Sequence, residues 1–193
     1  MHLERILIPL DVMDWSVEVF SVANALAKPA GAAVTLLHVV TLNVAAPENR
    51  IYERLAQEAN WHLERLAQGC LLPGIAATTR VRFGQPAAEI LAEAADSDAS
   101  LIVLASRPPS FLRRLFYHLV PPVVERVVRE ARCGVFLTTA TKRFNCESIW
   151  GRPEQDSGAP MRTLPETPKA RPLPAPLAEA AFACAPGHHG FVA

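Results

Sequence analysis

The chain has 193 residues, half of them hydrophobic, and its 19 basic and 19 acidic side chains sum to a net charge of zero. That leaves room for one domain of ordinary size and an appendage. Balanced charge provides no field to draw in nucleic acid or an anionic membrane surface, so neither is expected as a partner.

The opening Met1-His-Leu-Glu-Arg sets charges directly before Ile6-Leu-Ile, and Pro9 and Asp11 close that short apolar run. A secretory leader needs a longer apolar core and a small-residue cleavage site. No stretch reaches the roughly 18 to 20 apolar residues of a membrane span. The expectation is a cytoplasmic protein.

Ile6-Leu-Ile-Pro-Leu reads as a first strand buried on both faces. A helix follows, with Asp14 or Ser16 as its cap and Val19, Val22, Ala23 and Leu26 at helical spacing; Pro29 and Gly31 stop it. Ala33-Val-Thr-Leu-Leu-His-Val-Val is a second strand. A second helix runs through Ile51, Leu55, Ala59, Leu63 and Leu66 and ends by Gly69. Thr79-Arg-Val-Arg-Phe alternates polar with apolar, as an edge strand does. After Gly84-Gln, Pro86 suits a helix's first turn, and that helix presents Ile90, Leu91, Ala94 and Ala95 to the core. Leu101-Ile-Val-Leu-Ala is a fourth strand, 123–131 a last helix and Val135-Phe-Leu-Thr-Thr a final strand. Strands separated by helices of this length predict an α/β fold: a three-layer sandwich around a parallel sheet with right-handed crossovers.

Composition changes near residue 141, so residues 1–141 read as the domain and 142–193 as a disordered tail. Prolines crowd that tail at 153, 160, 165, 168, 172, 174, 176 and 186, and proline both removes backbone donors and disfavours helix in the residue before it. Pro165-Glu-Thr-Pro168 has the loose spacing of polyproline recognition, and His188-His189 reads as a polar terminus. The four cysteines, Cys70, Cys133, Cys146 and Cys184, form no C-x-x-C pair and lack metal-ligand spacing. Free thiols and no metal are expected.

Four blocks, in order, carry a resemblance. Ile6-Leu-Ile-Pro-Leu-Asp11 with Leu36-Leu-His-Val-Val resembles the opening of universal stress proteins, and Gly84-Gln-Pro-Ala-Ala-Glu-Ile-Leu resembles their G-x-P-x-x-x-I turn. Asp98-Ala-Ser-Leu-Ile-Val-Leu-Ala-Ser-Arg resembles their fourth strand running into the phosphate loop, and Val124 to Leu137 their closing helix and strand. The resemblance spans roughly residues 3 to 140. It implies a five-stranded parallel sheet of the adenine nucleotide alpha hydrolase-like, Rossmann-type class, homodimerisation through the last strand, and a role in stress response.

Family members that bind ATP carry G-x2-G-x9-G-(S/T) after the fourth strand. Glycine there brings backbone N–H groups close to phosphate oxygens. Laid on that pattern, Ala105 takes the first glycine position and Pro108 the second; the third falls on His118 or Pro121, and the hydroxyl on Leu119 or Pro122. No glycine occurs between Gly84 and Gly134, and Pro108, Pro109, Pro121 and Pro122 offer no N–H. Family-like ATP binding is therefore not expected. Asp11 and Val39 fall where the resemblance puts adenosine contacts, and Arg107, with Arg113 and Arg114 nearby, offers forked donors for an anion held another way. The candidate pocket residues are Asp11, Val39, Ala105, Arg107 and Pro108. Phe111, Leu112, Leu115, Phe116 and Leu119 recur at near-helical spacing and suit a short amphipathic helix.

No catalytic group assembles: His2, His38, His62 and His118 are scattered, and His38 reads as a hydrogen-bonded core histidine. The sequence points to a non-enzymatic stress-protein domain acting through dimerisation and protein contacts. The alternative is a sensor holding an adenine nucleotide such as ATP or AMP, or another small anion, through Asp11 and Arg107.

Overall fold

Ile6, Leu7 and Ile8 are apolar at three successive positions because their strand is covered on both faces, and each is 1% exposed or less. The computed structural model describes residues 2–41, 49–106, 123–141 and 143–150. Strands β1 (Arg5–Pro9), β2 (Ala33–Val40), β3 (Ala77–Phe83), β4 (Leu101–Ser106) and β5 (Gly134–Thr139) form one sheet in the order β3-β2-β1-β4-β5. Every pairing is parallel. Helices α1 (Val17–Ala30), α2 (Asn49–Cys70), α3 (Pro86–Asp96) and α4 (Val123–Glu130) connect them, and a short α5 (Cys146–Trp150) follows.

Side-chain alternation along the strands sorts the core into two layers. Ile6, Ile8, Val34, Leu36 and Val103 face α1 and α2, meeting Phe20, Ala23, Leu63 and Leu66. Leu7, Leu37, Ile102 and Leu104 point the other way, to Ala87, Ile90 and Ala94 of α3 and Val127 of α4. The α/β sandwich with a five-stranded parallel sheet that the sequence predicts is the observed fold. β3 lies at an edge, as its polar alternation implies.

Local details differ from expectation. Pro29 lies inside the last turn of α1, where it has no N–H to donate to the preceding turn and so weakens the helix as it ends; Gly31, at φ 65° and ψ 23°, ends the helix, its N–H donating to the Ala27 carbonyl. Ser16 occupies the N-cap position without a side-chain cap bond, and the Asp11 carboxylate instead accepts the Met13 N–H at 3.0 Å. Gly84 has φ +145°, and a Cβ there would lie 2.9 Å from a carboxylate oxygen of Glu89, so the turn into α3 requires glycine. On α3 it is Glu93, not Ala95, that is buried. Its carboxylate accepts Arg82 Nε of β3 at 2.6 Å. Arg82 also bonds Asp96 and lies 3.4 Å from a Glu89 oxygen, and Arg80 approaches Glu93 at 3.9 Å. These pairs hold the guanidinium of Arg82 above its ordinary pKa, with the Glu93 hydrogen bond as the largest cause.

The boundary at residue 141 needs correction. Residues 143–150 pack against the domain: Phe144 makes an antiparallel bridge with Trp15, Cys146 is fully buried, and Ile149 joins the α1/α2 layer. The reason is visible in the residues, since Phe144, Cys146 and Ile149 are apolar and the prolines begin only at Pro153. The Pro-rich stretch 151–193, with Cys184, lies outside the described residues.

Candidate functional site

In an open parallel sheet, ligands bind beyond the carboxyl ends of the strands, where the chain winds away in opposite directions on either side. Here that point lies between β1 and β4. A cleft of about 1070 Å³ opens there, lined by the ends of β1, β2, β4 and β5, the turn into α1, and α4. Its walls are mainly apolar, including Val19, Val39, Ile90, Leu104, Val124 and Leu137.

The structure brings Asp11, Val39 and Ala105 together around this one cleft. Asp11 follows β1 and opens a turn, its carbonyl accepting the Asp14 N–H at 2.9 Å, and its side chain is exposed. Val39 is half-buried against the α3/α4 layer and Ala105 against the α1/α2 layer. Arg107 and Pro108 lie outside the described residues, as do Arg113, Arg114, His118, Leu119, Pro121, Pro122 and the apolar run 111–119.

The geometry adds cleft residues beyond the five candidates, and His38, read from the sequence as a hydrogen-bonded core histidine, is one of them. His38 is half-buried and lines the cleft; its Nδ1 donates to the Leu10 carbonyl at 2.9 Å, which fixes that tautomer. Glu125 and Arg129 of α4 pair at 3.2 Å, and Arg143 pairs with the Asp14 carboxylate. Helical spacing could have flagged Glu125 with Arg129. Nothing local flags Arg143, whose partner is distant in sequence.

Other polar groups are buried in the core. His62 on α2 is 1% exposed, and neither ring nitrogen has a hydrogen-bond partner. Burial lowers its pKa, more than Glu58 and Glu147 raise it, and His38 lowers it further. Burial pushes the thiols of Cys70 and Cys146 up to about 12, so both stay protonated near neutrality. The indole N–H of Trp15 has no oxygen or nitrogen acceptor; the Cys146 thiol beside it feels a smaller, opposing pull from that contact. Among the described residues, no three His, Cys, Asp or Glu side chains cluster as a metal site, and no helix is long and apolar enough to cross a membrane.

The sequence model of the Universal stress protein family matches residues 2–138. The chain belongs to the universal stress protein family. Universal stress protein MJ0531 of Methanocaldococcus jannaschii is 30% identical over an alignment of 146 residues that covers 72% of this chain and 84% of that relative. Among solved structures, the universal stress protein UspA from Lactobacillus plantarum superposes with a TM-score of 0.56 at 22% identity, covering 71% of this chain and 98% of that one. A universal stress protein in complex with cAMP gives a TM-score of 0.51 at 19% identity, covering 73% of this chain and all of that one. At such identities the solved structures share the fold.

Proposed function

We propose that this universal stress protein is a non-enzymatic, cytoplasmic domain that acts in stress response as a homodimer and through protein contacts, without gripping ATP in the family manner. The observation that carries the proposal is the outer edge of the sheet. β5 is an edge strand, its Phe136 and Leu137 are 43% and 44% exposed, and Val128 of α4 is 49% exposed. An edge strand presents unpaired backbone donors and acceptors, and apolar side chains left on it favour pairing with another strand. A second copy of β5 supplies both the hydrogen-bond partners and the apolar cover. The phosphate loop supports the other half of the proposal: prolines at 108, 109, 121 and 122, with no glycine between Gly84 and Gly134, deny phosphate oxygens the amide hydrogens they need.

Placing a charge on this edge tests the dimer. Phe136→Lys should convert a dimer into a monomer in light scattering or native mass spectrometry, with the far-ultraviolet dichroism unchanged. A wild-type protein that is monomeric at about 50 μM, far above the dissociation constant of a stable dimer, contradicts the proposal.

The cleft favours a second reading, a sensor for an adenine nucleotide or another small anion. Asp11, Val39 and Ala105 share one wall system at the place where α/β sheets hold ligands. Saturable binding of AMP or cAMP that weakens about tenfold in Arg107→Ala, the loss of one charged hydrogen bond, supports this reading over the first.

A further inference from the structure

The turn that carries Asp11 is held from outside the sheet. Asp11, Met13, Asp14, Trp15 and Ser16 all line the cleft, yet they belong to a connection between β1 and α1 with few bonds of its own. Its anchors come from Thr141, Arg143, Phe144 and Cys146, beyond β5. The Trp15 N–H donates to the Phe144 carbonyl at 3.0 Å, and the Phe144 N–H donates to the Trp15 carbonyl at 2.8 Å. The Cys146 N–H donates to the Val12 carbonyl at 3.0 Å. Arg143 Nη2 donates to the Asp14 carbonyl at 3.1 Å and bonds its carboxylate, and Thr141 bonds Glu18 in the first turn of α1 through both its N–H, at 3.0 Å, and its hydroxyl. Ring packing adds to these bonds: Phe144 and Trp15 have centroids 5.2 Å apart, and Trp15, 2% exposed, meets Phe20 edge-on at 5.7 Å.

We infer that Arg143 and Phe144 are positioning residues of the cleft, strapping down the β1–α1 turn so that the wall bearing Asp11 keeps one shape. Arg143 also lines the cleft, so one residue of the strap is part of the wall it fixes. The strap sets this wall whichever molecule enters, independently of the dimer and of the ligand proposed above. Antiparallel pairing supplies direction, the aromatic contact excludes water from the bridge, and the guanidinium closes the open side of the turn with a charged bond. A turn without these anchors opens locally without the core strands opening with it.

Amide hydrogen exchange on the full chain tests this. The wild-type amides of Met13, Asp14, Trp15, Phe144 and Cys146, all hydrogen-bonded, should exchange slowly. Phe144→Ala and Arg143→Ala should each speed exchange at residues 13–15 by about tenfold or more while β1 and β4 keep their protection. Arg143→Lys, which keeps a cation beside Asp14, should restore most of it. Arg143→Ala leaves the core intact, so the test stands even if Phe144→Ala fails to fold. Unchanged protection of residues 13–15 in Arg143→Ala, equal acceleration in β1 and β4, or no recovery in Arg143→Lys overturns the inference.

Discussion

Arg82→Met should lower stability by about 3 kcal/mol, a fall in Tm on the order of 10 °C for a domain of this size, measured by calorimetry. Glu93 is the reason. Its side chain is 7% exposed on the face of α3 that meets β3, and the 2.6 Å bond from Arg82 Nε is its nearest countercharge. Removing the guanidinium leaves a buried carboxylate with Arg80 at 3.9 Å, and Arg80 is itself 60% exposed. A buried charge stripped of its partner costs far more than the intact pair contributes, because desolvation is no longer offset. The double variant Arg82→Met, Glu93→Leu should recover most of the loss, since apolar packing removes the desolvation problem altogether. A drop in Tm under 3 °C for Arg82→Met alone would show that Glu93 finds water or another cation.

His62 should make the domain less stable as pH falls below 6.5, the ordinary value for histidine. Its imidazole is buried without a hydrogen-bond partner, so the folded state resists protonation. The unfolded chain takes up the proton at about the ordinary value and the folded chain only at lower pH. Between those two points the unfolded state binds more protons, and stability falls with falling pH by no more than about 1.4 kcal/mol per pH unit for this one group. Glu58 and Glu147 narrow the window by favouring the cation, and His38 widens it. His62→Leu, close in volume and free of polar atoms, should flatten the dependence below pH 6.5 relative to wild type in urea unfolding. Parallel slopes for the two proteins would place the acid sensitivity elsewhere.

These two side chains mark the limit of what the residues announce by themselves. The core strands were legible because burial on both faces leaves near-continuous apolar runs, as in Ile6-Leu-Ile8 and Leu101 to Leu104. The arrangement of Asp11, Val39 and Ala105 around one cleft was legible too, because parallel strands all end on one side of a sheet. Glu93 was not: helical spacing counts apolar positions, and a buried carboxylate is revealed only by the arginine on the neighbouring strand. Ala95 looked like a core residue and is exposed, one step around the helix from the buried face. Arg143 was illegible for a different reason, since its bond to the turn joins residues 129 apart. The boundary at 141 was misplaced because proline content dominated the reading, while Phe144, Cys146 and Ile149 lay just ahead of the first proline of that stretch.

The prolines at 108, 109, 121 and 122 decide how phosphates are held. Several charged backbone bonds, each worth about 1.5–3 kcal/mol, separate a micromolar site from one that binds only weakly. Equilibrium dialysis of the full chain against ATP with magnesium measures that difference directly. No saturable uptake is expected below about 1 mM. Stoichiometric binding with a dissociation constant of a few micromolar would contradict that expectation.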